Sequence, residues 1–290
     1  MARVNRLGRR DFLKLIAGAG LASVSCRASL PGGGLTAEHV ELMLPDLCAA
    51  QDGLRVVQIS DLHVGRLTPH HLVRGAIDAA NRFRPDLIVL TGDYLTHYYG
   101  VGKNTHPSLI SEQLGGLQAP TIAILGNHDW YVDAGGAVKA LESLGYGTLR
   151  NQNTTLLLRG EPFTIVGIDD LSTHHTDVPL AMKGARPGSR LYLSHVPDVA
   201  ERLCYLEQPA LVLSGHTHGG QLNVPPLAGI RFRYLAGLYR LGHVQLYVNR
   251  GLGNSWMPVR LNAPPEVTLF TLRSGMVRSS PPRAATPTAT

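Results

Sequence analysis

Five stretches of this 290-residue chain place metal-binding side-chain types where an apolar run stops. Asp61 and His63 follow "LRVVQI", and Asp93 follows "LIVL". Asn127, His128 and Asp129 follow "TIAIL", His195 follows "LYLS", and His216 and His218 follow "ALVLS". Carboxylate, amide oxygen and imidazole together suit a divalent Mn, Fe or Zn of borderline hardness. The set holds no cysteine, which argues against a closed structural zinc site, since those are usually rich in thiolate. In extended chain, residues i and i+2 project to the same side at roughly 3.3 Å per residue. The spacing therefore predicts that Asp61 points with His63, and His216 with His218. A divalent ion held by such a set can acidify its bound water to a pKa of about 7.

The elements that must bring these residues together are legible as short apolar runs. "GLRVVQISD" reads as a buried strand, bounded by Gly53 and the polar Ser60-Asp61. "TPHHLVRGAIDAANRFRPD" has Leu72, Ala76, Ile77 and Ala80 at helical spacing, with Thr68-Pro69 at its start. "DLIVLTGD" is a second strand, which completes a βαβ unit. The pattern continues with a helix over 107–117, the strand "TIAILGNHD", and a helix over 135–144. "TTLLLRG" and "PFTIVGIDD" read as an antiparallel pair, while "SRLYLSHVPD" and "PALVLSGHTHGG" are strands joined by a helix over 197–206. Later strands are "HVQLYVNRG" and "PEVTLFTL". Two groups of strands flanked by helices indicate a layered α/β fold with two sheets. In open α/β sheets, sites form at the carboxyl ends of strands, so residues scattered from 61 to 218 can share one site.

The termini differ from this body. The net charge is +6, but residues 1–27 hold Arg3, Arg6, Arg9, Arg10, Lys14 and Arg27 against Asp11 alone. The rest of the chain is nearly neutral, so the body offers no electrostatic footprint for nucleic acid. "GRRDFLKLIAGAGLASVSC" has a basic start and a mildly apolar stretch too short to span a bilayer, which needs ~20 apolar residues. It has the layout of an export signal and resembles the twin-arginine type, which implies the twin-arginine export machinery as a partner. Cys26 stands where a lipidated cysteine would. Cys48 and Cys204 do not make a disulfide scaffold, and they pair only if folding brings them together. The expected organisation is a signal segment over 1–27, a linker and edge segment over 28–50, one domain over 51–273, and a disordered Pro-, Ala- and Thr-rich tail over 274–290.

"SDLHVG", "TGD", "GNHD", "SH" and "GHTHGG", in this order, resemble the calcineurin-like metallophosphoesterases over 54–272. "SHVPD", "GHTHGGQ" and "NRGLG" are similar to a bacterial subgroup of exported or membrane-associated phosphodiesterases. The resemblance implies a four-layer αββα sandwich of two mixed β-sheets holding two metal ions. Asp61, His63 and His218 would hold the first ion, Asp93 would bridge, and Asn127, His195 and His216 would hold the second. His128 would face the leaving group as general acid, helped by Asp129. The pattern departs at Thr96, where many relatives carry an acidic residue, so another group must orient His128. The implied substrate is a phosphate ester, with a lean to a diester that resemblance alone supports, and a lipid-linked one in view of the expected envelope location. Arg231 and Arg233 in "RFRYLAGLYR" are candidate contacts to phosphate or to an anionic membrane surface. The competing readings are an exported metal-binding scaffold without turnover, a phosphomonoesterase, and a protein phosphatase.

Overall fold

The computed structural model describes residues 34–44, 46–97, 105–188, 190–206, 208–223, 232–255 and 259–275. The expected signal segment, Cys26 and the tail beyond 275 lie outside them. Strand β1 (Thr36–Leu44) is followed by β2 (Leu54–Ile59), helix α1 (His70–Arg82), β3 (Leu87–Leu90), α2 (Ser108–Leu114) and β4 (Thr121–Ala123). Then come α3 (Asn127–Val132), α4 (Ala134–Ser143), β5 (Gly147–Thr148), β6 (Gln152–Leu158) and β7 (Glu161–Ile168). The chain continues through α5 (Val178–Met182), β8 (Arg190–Ser194), α6 (Val199–Leu203), β9 (Ala210–Ser214), β10 (Gly237–Leu241), β11 (Val244–Val248) and β12 (Glu266–Ser274).

The strands form two six-stranded sheets, ordered β1-β12-β2-β3-β4-β5 and β10-β11-β9-β8-β7-β6. Both are mixed. β2, β3, β4 and β5 run parallel while β12 opposes β2. In the second sheet β7, β8, β9 and β11 run parallel, with β6 and β10 antiparallel at the edges. Strands buried on both faces carry continuous apolar runs, which is why "LIVL" and "ALVLS" lack alternation. One core packs the first sheet against α1, α2 and α4 through Val73, Ile77, Ile110 and Leu141. A second lies between the sheets, where Val56, Val89, Leu193 and Leu213 meet. A third packs α5 and α6 on the second sheet through Val178, Val199, Tyr192 and Val212. The result is the expected four-layer αββα sandwich.

Local chemistry explains the details. The β6–β7 hairpin turns at Arg159 and Gly160, both at positive φ (55° and 82°), the backbone that a two-residue primed turn requires. The third strand is shorter than its apolar run implies, because Gly126 caps α3 and Asn127 begins a helix. "RFRYLAGLYR" also runs into the edge strand β10, which begins at Gly237 and which the sequence pattern did not reveal. Cys48 and Cys204 are both free thiols. Among the described residues, no helix is long and apolar enough to cross a membrane.

Candidate metal centre and active site

The carboxyl ends of β2, β3, β8 and β9 and the start of α3 converge between the sheets. Two groups of donors result, Asp61, His63, Asp93 and His218 in one and Asp93, His195 and His216 in the other, each with its ligand atoms within 4.8 Å of one another. Asp93 belongs to both. Asp61 Oδ1 lies 3.4 Å from His218 Nε2, and His63 Nε2 lies 3.6 Å from Asp93 Oδ2. On the other side, His195 Nε2 is 3.1 Å from Asp93 Oδ2, and His216 Nδ1 is 2.9 Å from Asn127 Oδ1. All seven residues expected as metal ligands are thus in one place.

The convergence is not achieved by strand alternation. Asp61, His63, Asp93, His216 and His218 all have positive φ, between 45° and 74°. Each sits in a left-handed turn beyond its strand, where a non-glycine residue is uncommon. Glycine provides the room. A Cβ on Gly126 would strike the Asp93 carboxylate, and one on Gly215 would strike Ser60 Oγ and Asp61 Oδ2.

The donor set fits divalent cations. His63 Nδ1 faces Leu95 O at 3.0 Å and His195 Nδ1 faces Thr91 O at 2.8 Å. A carbonyl only accepts, so both rings carry hydrogen on Nδ1 and direct Nε2 to the centre, where His63 offers a lone pair and His195 can offer one once a cation displaces its proton. His63 Nε2 then lies 3.0 Å from His218 Nε2, and His195 Nε2 lies 3.2 Å from His216 Nδ1. Nitrogen atoms brought this close, with carboxylates beside them, are suited to share a cation. Burial lowers the His63 and His216 pKa values to about 3 and about 4, and it lowers His218 as well. These imidazoles are therefore neutral, the form that binds metal. Burial raises Asp61 to about 6. His195 resists burial and is carried up to about 10 by the Asp93 carboxylate. His218 differs from the other rings, because its Nδ1 faces Arg260 Nη2 at 3.0 Å. A guanidinium only donates, so His218 Nδ1 accepts from Arg260 and the ring's hydrogen lies on Nε2, toward Asp61 Oδ1 at 3.4 Å. Arg260 also donates to the carbonyls of Arg250, Gly253 and Ala263.

His128 stands over the first group, its ring edge-on to His63 at 4.7 Å between centroids. Its backbone N–H donates to Asp93 Oδ1 at 2.8 Å. What orients the ring, in the absence of a carboxylate at Thr96, is the backbone N–H of His97, which donates to His128 Nδ1 at 3.0 Å. Nδ1 is then an acceptor and hydrogen resides on Nε2. Burial also lowers the His128 pKa. The ring is thereby held neutral and presents an Nε2–H.

The role expected for Asp129 is corrected. It does not support the His128 ring. Its Oδ1 accepts from the backbone N–H groups of Tyr94 and Leu95, and its Oδ2 from those of Asp93 and Gly126, at 2.9–3.0 Å. Burial and the Asp93 charge push its pKa up to about 7, against those four donors. Arg231 lies outside the described residues. Arg233 is exposed and pairs with Glu201 on α6, so its charge is spent away from the centre. Sequence reading missed Asp170, a fully buried residue just beyond β7. The paired acids ending the apolar run "FTIVGIDD" were the available signal.

The calcineurin-like phosphoesterase family matches residues 54–220 of the chain. An uncharacterised metallophosphoesterase of Bacillus subtilis, YkuE, is 34% identical over 298 residues, covering 93% of this chain and 99% of the relative. The phosphodiesterase YaeI of Escherichia coli is 38% identical over 232 residues, covering 75% and 82%. The UDP-2,3-diacylglucosamine pyrophosphatase LpxG of Chlamydia trachomatis is 30% identical over 289 residues, covering 78% and 86%.

Proposed function

This chain belongs to the calcineurin-like phosphoesterase family and is a metal-dependent phosphoester hydrolase, and we propose that it is a phosphodiesterase of the cell envelope acting on a lipid-linked phosphate ester. The observation that carries the phosphoesterase chemistry is the pair of donor groups sharing Asp93 with His128 beside them. Asp61, His63, Asp93 and His218 would hold one divalent cation, and Asp93, Asn127, His195 and His216 the other. Such a pair supplies Lewis-acid charge to phosphoryl oxygens and an acidified water. Burial holds His63, His216 and His218 neutral, and the Leu95 and Thr91 carbonyls fix Nδ1 of His63 and of His195 as the nitrogen that donates. His128, with Nδ1 occupied by the His97 amide, offers Nε2–H to the ester oxygen on which charge develops. No proton need leave the ring.

The diester preference is supported by the relative named a phosphodiesterase, and the lipid-linked substrate by the relative named a UDP-2,3-diacylglucosamine pyrophosphatase. Envelope placement is supported by the paired Arg9 and Arg10 before a mildly apolar stretch, which also supports export through the twin-arginine machinery. The test is hydrolysis of bis(p-nitrophenyl) phosphate and p-nitrophenyl phosphate by Mn²⁺-loaded protein, followed by a panel of lipid-linked diphosphates. Chelator-sensitive hydrolysis favouring the diester is expected. Protein that binds metal and turns over no ester would refute the proposal.

A further inference from the structure

Asp170 is a carboxylate the centre does not need as a ligand. It is 0% exposed and follows β7, whose Ile168 pairs with Ser194 of β8, the residue before His195. Its neighbour Asp169 accepts the indole N–H of Trp130 at 2.8 Å, which ties this strand end to α3, the helix bearing Asn127 and His128. Asp170 thus borders the half of the centre formed by Asn127, His195 and His216. Its two oxygens are used unequally. Oδ2 accepts three hydrogen bonds within its own loop, from Ser172 Oγ, Thr173 N and Thr173 Oγ1, at 2.7–2.8 Å. Oδ1 is buried and has no donor. Its charge reaches the centre: at His128 and His216 it counters the lowering by burial, and at His195 it adds to the effect of Asp93.

A loop-organising role accounts for Oδ2 and leaves Oδ1 unexplained, since a buried carboxylate oxygen without a donor is costly. We propose that Asp170 is a specificity-determining residue that selects phosphodiester monoanions over phosphomonoester dianions at the adjoining metal centre. This inference rests on the phosphodiesterase reading above and gives its diester preference a residue. The physics does not depend on the charge of the metal pair. A fixed carboxylate repels a dianion with twice the energy it applies to a monoanion at the same place. The difference is one unit-charge interaction, which over roughly 10 Å at an effective dielectric near 20 corresponds to selectivity on the order of tenfold. Monoesters are mainly dianionic above their second pKa of about 6, so the discrimination operates at neutral pH and above.

Asp170→Asn is the informative variant. An asparagine keeps a carbonyl oxygen for Ser172 and Thr173, and it places an uncharged NH₂ where Oδ1 now lies. At pH 8, with Mn²⁺ bound, kcat/KM for p-nitrophenyl phosphate relative to bis(p-nitrophenyl) phosphate should rise about tenfold in this variant. Calorimetric titration should show affinity for inorganic phosphate rising about tenfold relative to that for dimethyl phosphate. Ser172→Ala, which removes one loop bond and no charge, should leave both ratios within twofold. Equal losses on both substrates in Asp170→Asn, or the same shift in Ser172→Ala, would overturn the proposal. If the wild type hydrolyses no phosphoester, the phosphodiesterase reading fails, and the ratio of anion affinities still decides the role of Asp170. Absence of binding by either anion to either protein also counts against it.

Discussion

Asp129→Asn separates two roles for a buried acid beside the catalytic loop. As a catalytic partner of His128, the acid could be neutralised with loss of turnover alone. The structure instead has its carboxylate collecting the N–H groups of Asp93, Tyr94, Leu95 and Gly126, two on each oxygen. An asparagine has one acceptor oxygen, so in either orientation two N–H donors meet an NH₂ group. Above the Asp129 pKa of about 7, at pH 8 and higher, hydrogen bonds to the charged group contribute about 1.5–3 kcal/mol each, so the loss there is roughly 3–6 kcal/mol. That is a large part of the about 5–15 kcal/mol by which a domain is stable. It falls on the Asp93 turn and the cap of α3 together. Urea unfolding of the metal-free protein should show the midpoint falling sharply with unchanged slope. Metal affinity should fall with it, because Asp93 is common to both donor groups. Turnover per metal-loaded molecule, with Mn²⁺ in excess at low temperature, should stay within about tenfold of wild type. A variant as stable as wild type and fully metal-loaded, yet without turnover, would refute this reasoning.

His128→Ala should reduce kcat about 10²–10³-fold, the cost of one donor to developing charge, with metal content by elemental analysis unchanged. Because burial lowers the His128 pKa, an imidazolium acid would lose activity as pH rises through a value below about 6.5; a neutral Nε2–H donor shows no such decline, and a pH–kcat profile from 6 to 9 distinguishes them. Gly215→Ala forces a methyl group against Ser60 Oγ and Asp61 Oδ2; it should cost about 1–3 kcal/mol of stability, as overpacking does, and weaken metal binding in calorimetry. Mn²⁺ at 100 times its dissociation constant contributes about 2.7 kcal/mol, so chelation should lower Tm by roughly 5–10 °C for a domain of this size.

The sites of chemistry were legible because their residue types are out of place. An aspartate, asparagine or histidine within three residues of the end of "LRVVQI", "LIVL", "TIAIL" or "ALVLS" is out of place in a core, and the βαβ order puts such residues at one end of the sheets. The way they converge was not legible. Alternation in extended chain predicted that Asp61 points with His63 and His216 with His218; the structure puts the first pair in one donor group, divides the second between the two groups, and sets all four residues in left-handed turns. Backbone groups leave no mark on a sequence, so the His97 amide that sets the His128 tautomer and the carbonyls of Thr91 and Leu95 were invisible. Asp129 was misassigned because adjacency to His128 says nothing of direction on a helix start, where a carboxylate turns back to cap orphan N–H groups. Arg233 reads as an anion site until Glu201, distant in sequence, is placed beside it.

The left-handed turns also account for a motif that supplies no ligand. Asp61, His63, Asp93, His216 and His218 each occupy a backbone region that costs a non-glycine residue about 1–3 kcal/mol and persists only where surroundings over-determine it. Here the loops hold one another. Asp61 N donates to Gly92 O and His63 N to Asp93 O, both at 3.0 Å, which locks the first turn to the second. From the other side, Leu252 N donates to Ser60 O and Gly253 N to Asp61 O, at 2.9 and 2.7 Å. A Cβ at Gly251 would press on the Asp61 side chain, and one at Gly253 on the Leu62 carbonyl. "NRGLG" is therefore the brace of the Asp61 turn, its glycines required by close approach rather than by chemistry. Arg260 extends the brace by holding the Arg250, Gly253 and Ala263 carbonyls while touching His218. The metal centre is thus built from the ends of parallel strands and held in its strained form by a segment that follows the last ligand by more than thirty residues.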